Sequence, residues 1–325
     1  MNWVSRLLAG WFGVVLLCGG ALAQSAYPTK TVRIVIPFAP GGVPDIIARL
    51  LSPKMTEAMG QPFVVDNRPG AGGTLAAAHV AKSDPDGYTL FMTTVSTQAI
   101  APGLMPNLPY DPAADFTPIS HIANVPLVLV VTPSLPATNL KELIALLKAN
   151  PGKYDFASSG TGAPLHLAGE LFKAMSKTDI QHVPYKGSAP ALTDVIAGRV
   201  AMVFDAVPPA LGHIQSGRLR ALGVGTKERS AMLPDVPTID EAGLPGYEAY
   251  TWGAFFAPAK TPKPVVDRLH AEVTKALAQP DVRQRLTELG YQIVGSTPDQ
   301  LDRHVKAEKE KWGKLIRDVG IKAEL

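Results

Sequence analysis

The sequence predicts an α/β fold of two lobes, each built on a parallel or mixed sheet flanked by helices, with two hinge crossings of the chain between them. Three observations lead there. Apolar and β-branched runs alternate with segments of helical periodicity through most of the chain, the pattern of parallel sheets covered by helices. About 300 residues remain once a leader is removed, and a chain of that size with 46% hydrophobic side chains more often divides into two cores than builds one. After Pro258 the strand signal fades into helical stretches suited to packing back on the first lobe.

Residues 1–23 read as a signal peptide: Arg6 opens it, an apolar run spans Leu7 to Cys18, and Ala21-Leu22-Ala23 closes it, so the mature chain begins at Gln24. Cleavage after Ala23 is preferred to lipid modification of Cys18, because Leu17 stands where lipoprotein processing wants a small side chain. That apolar run is shorter than the roughly 20 residues a membrane-spanning helix needs. The expected product is a soluble periplasmic protein without cysteine, held together by its core rather than by disulfides.

Strands are predicted at 32–36, 63–65, 88–93, 127–131, 154–157, 200–204 and 219–224. The helix after Asp45 gathers Ile46, Ile47, Leu50, Leu51, Met55 and Met59 on one face and stops at Gly60. Another runs from Asn139 to Asn150, halted by Pro151-Gly152. Thr261-Pro262 opens one C-terminal helix and Thr297-Pro298 a second. The crossings fall near 123–127 and 250–254, which assigns 24–125 plus 252–325 to one lobe and 126–251 to the other.

Removing the leader takes Arg6 from the 31 basic residues and nothing from the 28 acidic ones. That near balance argues against nucleic acid or an anionic membrane as partner. Chemistry must therefore be sought in the strand-to-helix junctions, where helix N-termini present free amides. In the first, Phe38-Ala39-Pro40-Gly41-Gly42 precedes Asp45: the glycines let backbone approach a ligand, or merely turn the chain while Asp45 caps the helix. In the second, Ser158-Ser159-Gly160-Thr161-Gly162 forms a nest of donors for a carboxylate or phosphate, followed by His166, whose ordinary role would be a structural hydrogen bond. Asp205 ends a strand, where it could accept from a ligand or cap the helix that Pro208-Pro209 introduce. Lys186 could pair with an anion or simply be solvated.

No Gly-x-Ser-x-Gly elbow, no His-x-x-x-His or comparable metal spacing and no dinucleotide glycine motif occur, so no catalytic set, metal or cofactor is predicted.

Several separated motifs in order resemble one family, the periplasmic solute-binding receptors of tripartite tricarboxylate transporters, also called TctC-like or Bug proteins. They are Pro37-Phe38-Ala39-Pro40-Gly41-Gly42 with Asp45, Ala48 and Arg49; the run from Asn67 to Gly73; Pro85-Asp86-Gly87-Tyr88-Thr89; Ser158 to Gly162 with His166-Leu167; and Val183-Pro184-Tyr185-Lys186-Gly187. The resemblance covers essentially the whole mature chain. It implies a two-lobed Venus flytrap of the periplasmic binding protein type, monomeric and without enzymatic activity. The implied ligand is a small carboxylate (di- or tricarboxylate, amino acid or aromatic acid) for delivery to the permease subunits of the transporter. Phe38, Ala39, Gly41, Gly42 and Asp45 would form one jaw; Ser158, Ser159, Gly160, Thr161, Gly162 and His166 the other; Asp205 would look toward the pocket. Pro44 departs from the Ser or Thr common in the family and removes both a hydroxyl and an N–H. Two alternatives stand beside this reading: a co-receptor for a membrane sensor kinase, and a periplasmic hydrolase or isomerase using Asp45, His166 and Asp205 as acids and bases.

Overall fold

A computed structural model describes residues 27–322; the leader expected over 1–23 and the new terminus at Gln24 lie outside the described residues. The chain begins with β1 (Val32–Ile36), α1 (Val43–Met59), β2 (Phe63–Asn67), α2 (Thr74–Ala81) and β3 (Thr89–Thr94). A π-helical turn, Ser96–Ile100, runs into α3 (Ala101–Leu104), and β4 (Phe116–Val131) follows. Next come α4 (Leu140–Ala149), β5 (Asp155–Ser158), α5 (Pro164–Ser176), β6 (Gln181–Pro184), α6 (Ser188–Ile196), β7 (Met202–Ala206), α7 (Val207–Gln215) and β8 (Arg220–Val224). The chain ends with β9 (Tyr250–Pro258), α8 (Lys263–Ala278), α9 (Pro280–Glu288), β10 (Gln292–Ile293) and α10 (Pro298–Val319).

The strand order is β2-β1-β3-β9-β4-β7-β5-β6, with β10 and β8 also on β4. β1 lies parallel between β2 and β3, and β5 lies parallel between β6 and β7. Antiparallel β9 and β4 join these two clusters. β4 belongs to both halves: Phe116–Pro126 pairs with β9, and Leu127–Val131 pairs with β7 and β8. The stretch near 123–127, where a crossing was expected, is the middle of one unbroken strand. The return passage runs beside it. Gly225 donates to the Leu127 carbonyl while Ala249 donates to that of Gly225. A Cβ at Gly225 would stand 2.1 Å from the Ala249 oxygen, so glycine is what lets the two passages touch.

Three apolar clusters fill the layers. One packs α1, α8 and α9 on one face of the first half through Ile34, Ile36, Ile47, Leu51, Phe255 and Leu269. A second packs α6 and α7 on the second half through Val128, Val130, Val195, Val203 and Val207. The third is continuous across both halves and takes in Phe91, Leu129, Phe156, Phe204, Trp252 and Trp312. Within it α10 touches the π turn, α3 and β4, and also α5, so the last helix braces both halves.

Three local features differ from the sequence reading. α1 starts at Val43 with Gly42 as its N-cap, so Asp45 sits inside the first turn and caps nothing. The apolar stretch Tyr250–Pro258 is a fully buried strand, β9, where only a crossing was expected. Three helices, not two, follow it, because Pro280 starts a separate α9.

Candidate functional site

Both glycine loops sit at the carboxyl ends of parallel strands, β1 and β5, and each feeds the N-terminus of a helix, α1 of 17 residues and α5 of 13. Such positions combine unpaired amides with the positive end of a helix dipole. The hydrogen bonds inside each loop determine which donors remain.

In the first jaw, Gly41 adopts φ +91°, a left-handed conformation that glycine tolerates. Its amide donates to Asp45 Oδ2 at 2.9 Å. The same carboxylate accepts from Arg49 Nε at 3.0 Å and from Asn67 Nδ2 at 3.0 Å. Asn67 Nδ2 also donates to the Phe38 carbonyl, and Asn67 Oδ1 accepts from Arg49. Burial pulls the Asp45 carboxyl upward, but the hydrogen bonds from Arg49, Gly41 and Asn67 outweigh it and hold the group below its usual range. Asp45 is buried with its oxygens occupied, so its visible work is to hold the loop. Among the described residues the amides of Phe38, Ala39 and Gly42 have no hydrogen-bond partner, and they remain as donors.

The glycine-rich turn after β2 supports this jaw from behind. A Cβ at Gly73 (φ +94°) would lie 2.9 Å from both Pro37 Cβ and Thr97 Cγ2. Thr97 belongs to the π turn after β3, and its hydroxyl bonds that of Thr93 at 2.6 Å. Beside it Gln98 is fully buried, and neither of its amide atoms has a hydrogen-bond partner among the described residues. π turns recur at functional sites, which makes Thr97 and Gln98 candidates that the sequence pattern did not single out.

The second jaw is built differently. Ser158, fully buried, takes the Gly160 amide on its Oγ at 3.1 Å and lies 2.6 Å from His182 Nε2. The Gly162 amide donates to His166 Nδ1 at 3.0 Å. The two imidazoles stack with centroids 3.7 Å apart, and Phe156 packs against both. Burial, reinforced by His166, pushes His182 down to about 4, so it is neutral near pH 7. Among the described residues the amides of Ser159 and Thr161 have no hydrogen-bond partner. A serine hydroxyl this close to a histidine has the spacing of a nucleophile and its base. Ser158, however, has no exposed surface from which to attack, and its hydroxyl serves the loop.

Asp205 lies beside this jaw. Its carboxylate accepts from the Ser188 hydroxyl and from the Ala206 amide. Burial raises it from 3.8 to about 6, the opposite sense to Asp45. Lys186 is exposed, and its neighbour Gly187 ties the next loop to the jaw by donating to the Ser159 carbonyl at 3.2 Å.

The structure thus groups Phe38, Ala39, Gly41, Gly42 and Asp45 in one unit. Ser158, Ser159, Gly160, Thr161, Gly162 and His166 form a second, with Asp205 at its border. The halves meet at Leu104 of α3: a Cβ on Gly162 (φ +76°) would be 2.6 Å from Leu104 Cδ1. Since α3 continues the π turn whose Thr97 lies against Gly73, one continuous segment of chain approaches both loops. Arg49 and Asn67 entered the sequence reading only as motif letters. His182 did not enter at all: it is half-buried on a short polar strand, one residue before the Val183–Gly187 motif.

Two surface clefts lie elsewhere. One, of about 370 Å³, is lined by Thr132, Ser134, Gly198 and Arg218. The other, of about 580 Å³, is lined by Lys30, Arg33, Arg68, His79, Lys82 and neighbouring acids. In the latter, Arg33 and Arg68 are already paired with Asp66, and Lys30 with Asp86. Among the described residues no group of three or more His, Cys, Asp or Glu is arranged to hold a metal, and no helix is long and apolar enough to cross a membrane.

Comparison with known proteins places the chain in one family. A family model described as the tripartite tricarboxylate transporter family receptor, TctC, matches residues 47–321. A protein encoded in the tcbD-tcbE intergenic region of Pseudomonas sp. strain P51 is 42% identical over 321 residues, 98% of this chain and 95% of that one. BugT of Bordetella pertussis is 38% identical over 323 residues, 98% and 99% of the two chains. Among solved structures, Rpa4515 of Rhodopseudomonas palustris with adipate superposes with a TM-score of 0.80 at 40% identity, covering 91% of this chain and 99% of that one. MatC from the same organism, with bound malate, gives 0.76 at 36%, covering 89% and 100%.

Proposed function

The chain belongs to the tripartite tricarboxylate transporter receptor family, TctC, whose members are periplasmic solute-binding proteins, and from that premise we propose that it captures a small dicarboxylate between its two halves. In this reading residues 24–125 with 252–325 form one lobe and 126–251 the other. They swing about the paired passages at β4 and Tyr250. Phe38, Ala39 and Gly42 offer amides from one side, Ser159 and Thr161 from the other. Asp45 and His166 hold the loops rather than touch the solute, Gly41, Gly160 and Gly162 supply the turns, and Asp205 faces the pocket from the second lobe.

The observation that carries the reading is the pair of strand-end loops at the N-termini of α1 and α5, each with amides that have no partner among the described residues and neither containing Lys or Arg. Oriented amides at a helix N-terminus suit a carboxylate and do not depend on a cationic side chain. A dicarboxylate is favoured because two relatives with the same fold hold adipate and malate. Closure follows from contacts the solute makes only when both lobes engage it, so binding shifts the balance between open and closed states. The mature protein, cut after Ala23, would hand the acid to the membrane subunits of a tripartite transporter.

Purified protein, denatured and analysed by mass spectrometry for released small molecules, tests the ligand class. A dicarboxylic acid in near-stoichiometric amount is expected, with four- to six-carbon diacids raising the melting temperature of the emptied protein. An amine, sugar or phosphoester released in its place would overturn the class.

A further inference from the structure

We infer that the stacked pair His166–His182 positions the second jaw, fixing which of its backbone amides face the solute. The inference rests on the receptor reading and deepens it. Every second amide of the loop is tied down through this pair: Gly160 to Ser158 Oγ, which is anchored by His182 Nε2, and Gly162 directly to His166 Nδ1. The Ala163 amide is spent on the Gly160 carbonyl. Ser159 and Thr161 are what remain, so the imidazoles decide the donor pattern by taking up its alternatives.

The contact to His166 requires an unprotonated Nδ1. An imidazole nitrogen accepts from an amide only through its lone pair, so His166 must carry its proton on Nε2, which lies 3.7 Å from Glu170 Oε1. The two rings lie 3.7 Å apart at an interplanar angle of 18°, and the His166 ring adds to the burial that disfavours protonation of His182. The charged groups facing the pair are buried Glu170 and half-buried Lys173, both on α5. β5 contributes the neutral Ser158 and Phe156, while its Asp155 is turned to the Ala201 amide at 2.8 Å. Protonation at His166 Nδ1 would remove the acceptor and release the Gly162 amide. A serine or threonine in place of either histidine could not span the same gap and also maintain the stack.

The test uses the full mature protein, without and with adipate or malate as the probe. In the ligand-free protein, amide hydrogen exchange of Gly162 should accelerate at least tenfold in His166→Phe, which keeps an aromatic ring and loses the acceptor. It should return to within about threefold of wild type in His166→Asn, whose side-chain oxygen replaces Nδ1. Affinity for the bound acid should follow the same order, with a loss of about tenfold or more in His166→Phe. Unchanged Gly162 exchange, or binding within twofold of wild type in His166→Phe, would overturn the inference. If His166→Phe fails to fold, the wild type decides: its Gly162 amide resonance should move in step with titration of the His166 ring, and movement uncoupled from the ring refutes the assignment. Wild type that binds neither acid would contradict the proposed ligand, while the exchange result still decides the role of the histidines.

Discussion

Asp205→Asn should stabilise the protein at neutral pH, and the size of the effect follows from its surroundings. The carboxyl is 1% exposed and burial raises it from 3.8 to about 6, with the Ser188 hydroxyl and Ala206 amide offsetting only part of that penalty. Between about pH 4 and pH 6 the folded protein retains a proton that the unfolded chain has released, so stability falls as pH rises through this window and levels off above it. A shift of about two units at roughly 1.4 kcal/mol each sets an upper limit near 3 kcal/mol. Asparagine avoids the penalty and keeps both contacts, its oxygen accepting from Ala206 and its amide donating to the rotatable Ser188 hydroxyl. Urea denaturation followed by circular dichroism should show Asp205→Asn more stable than wild type by roughly 1–3 kcal/mol at pH 7.5, the difference vanishing near pH 4. A variant less stable at pH 7.5, or a difference independent of pH, would refute the argument that the buried carboxylate is held at a cost.

Asp45→Asn should behave in the opposite sense, since the wild-type carboxyl is held below its usual range; its contribution, about 1.5–3 kcal/mol for charge-assisted hydrogen bonds, is present at pH 7 and lost as pH falls below about 4. The same denaturation series measures this, and a variant as stable as wild type at pH 7 would count against the clamp on the first jaw. Gly73→Ala combines a left-handed backbone, roughly 1–2 kcal/mol, with overpacking against Pro37 and Thr97, typically another 1–3 kcal/mol; calorimetry should show a lower melting temperature and weakened adipate binding. Lys186→Ala should change solute affinity by less than about threefold, because Lys186 is exposed and the jaws bind through backbone; a hundredfold loss in titration calorimetry would show that a cation carries recognition.

Local stereochemistry was legible in the sequence wherever a single residue type dictates it. β1 spans the predicted residues 32–36, Gly60 ends α1 in a left-handed conformation, and Asn139 caps α4 by accepting from the Glu142 amide. Thr297 and Gln300 form a reciprocal capping box at the start of α10. Both glycine loops were visible because a strand, a turn and a helix start leave a clear pattern. What pattern could not supply was long-range partnership. Nothing in the spacing of Asp45 says that Asn67, 22 residues on, would occupy its carboxylate, or that His182 would lie against His166. The continuous apolar run of β9 carries no alternation, because both faces are buried, and β4 crosses both halves with three register shifts that blur its period.

Backbone amides from two loops, with no cationic side chain, hold the acid in this account, and amide chemical shifts of isotopically labelled protein measure that most directly. Titrating adipate should displace the resonances of Phe38, Ala39, Gly42, Ser159 and Thr161 strongly, while Gly41, Gly160 and Gly162, already bonded within their loops, move less. Shifts confined to one loop, or centred on the basic cleft around Arg33 and Lys82, would contradict it.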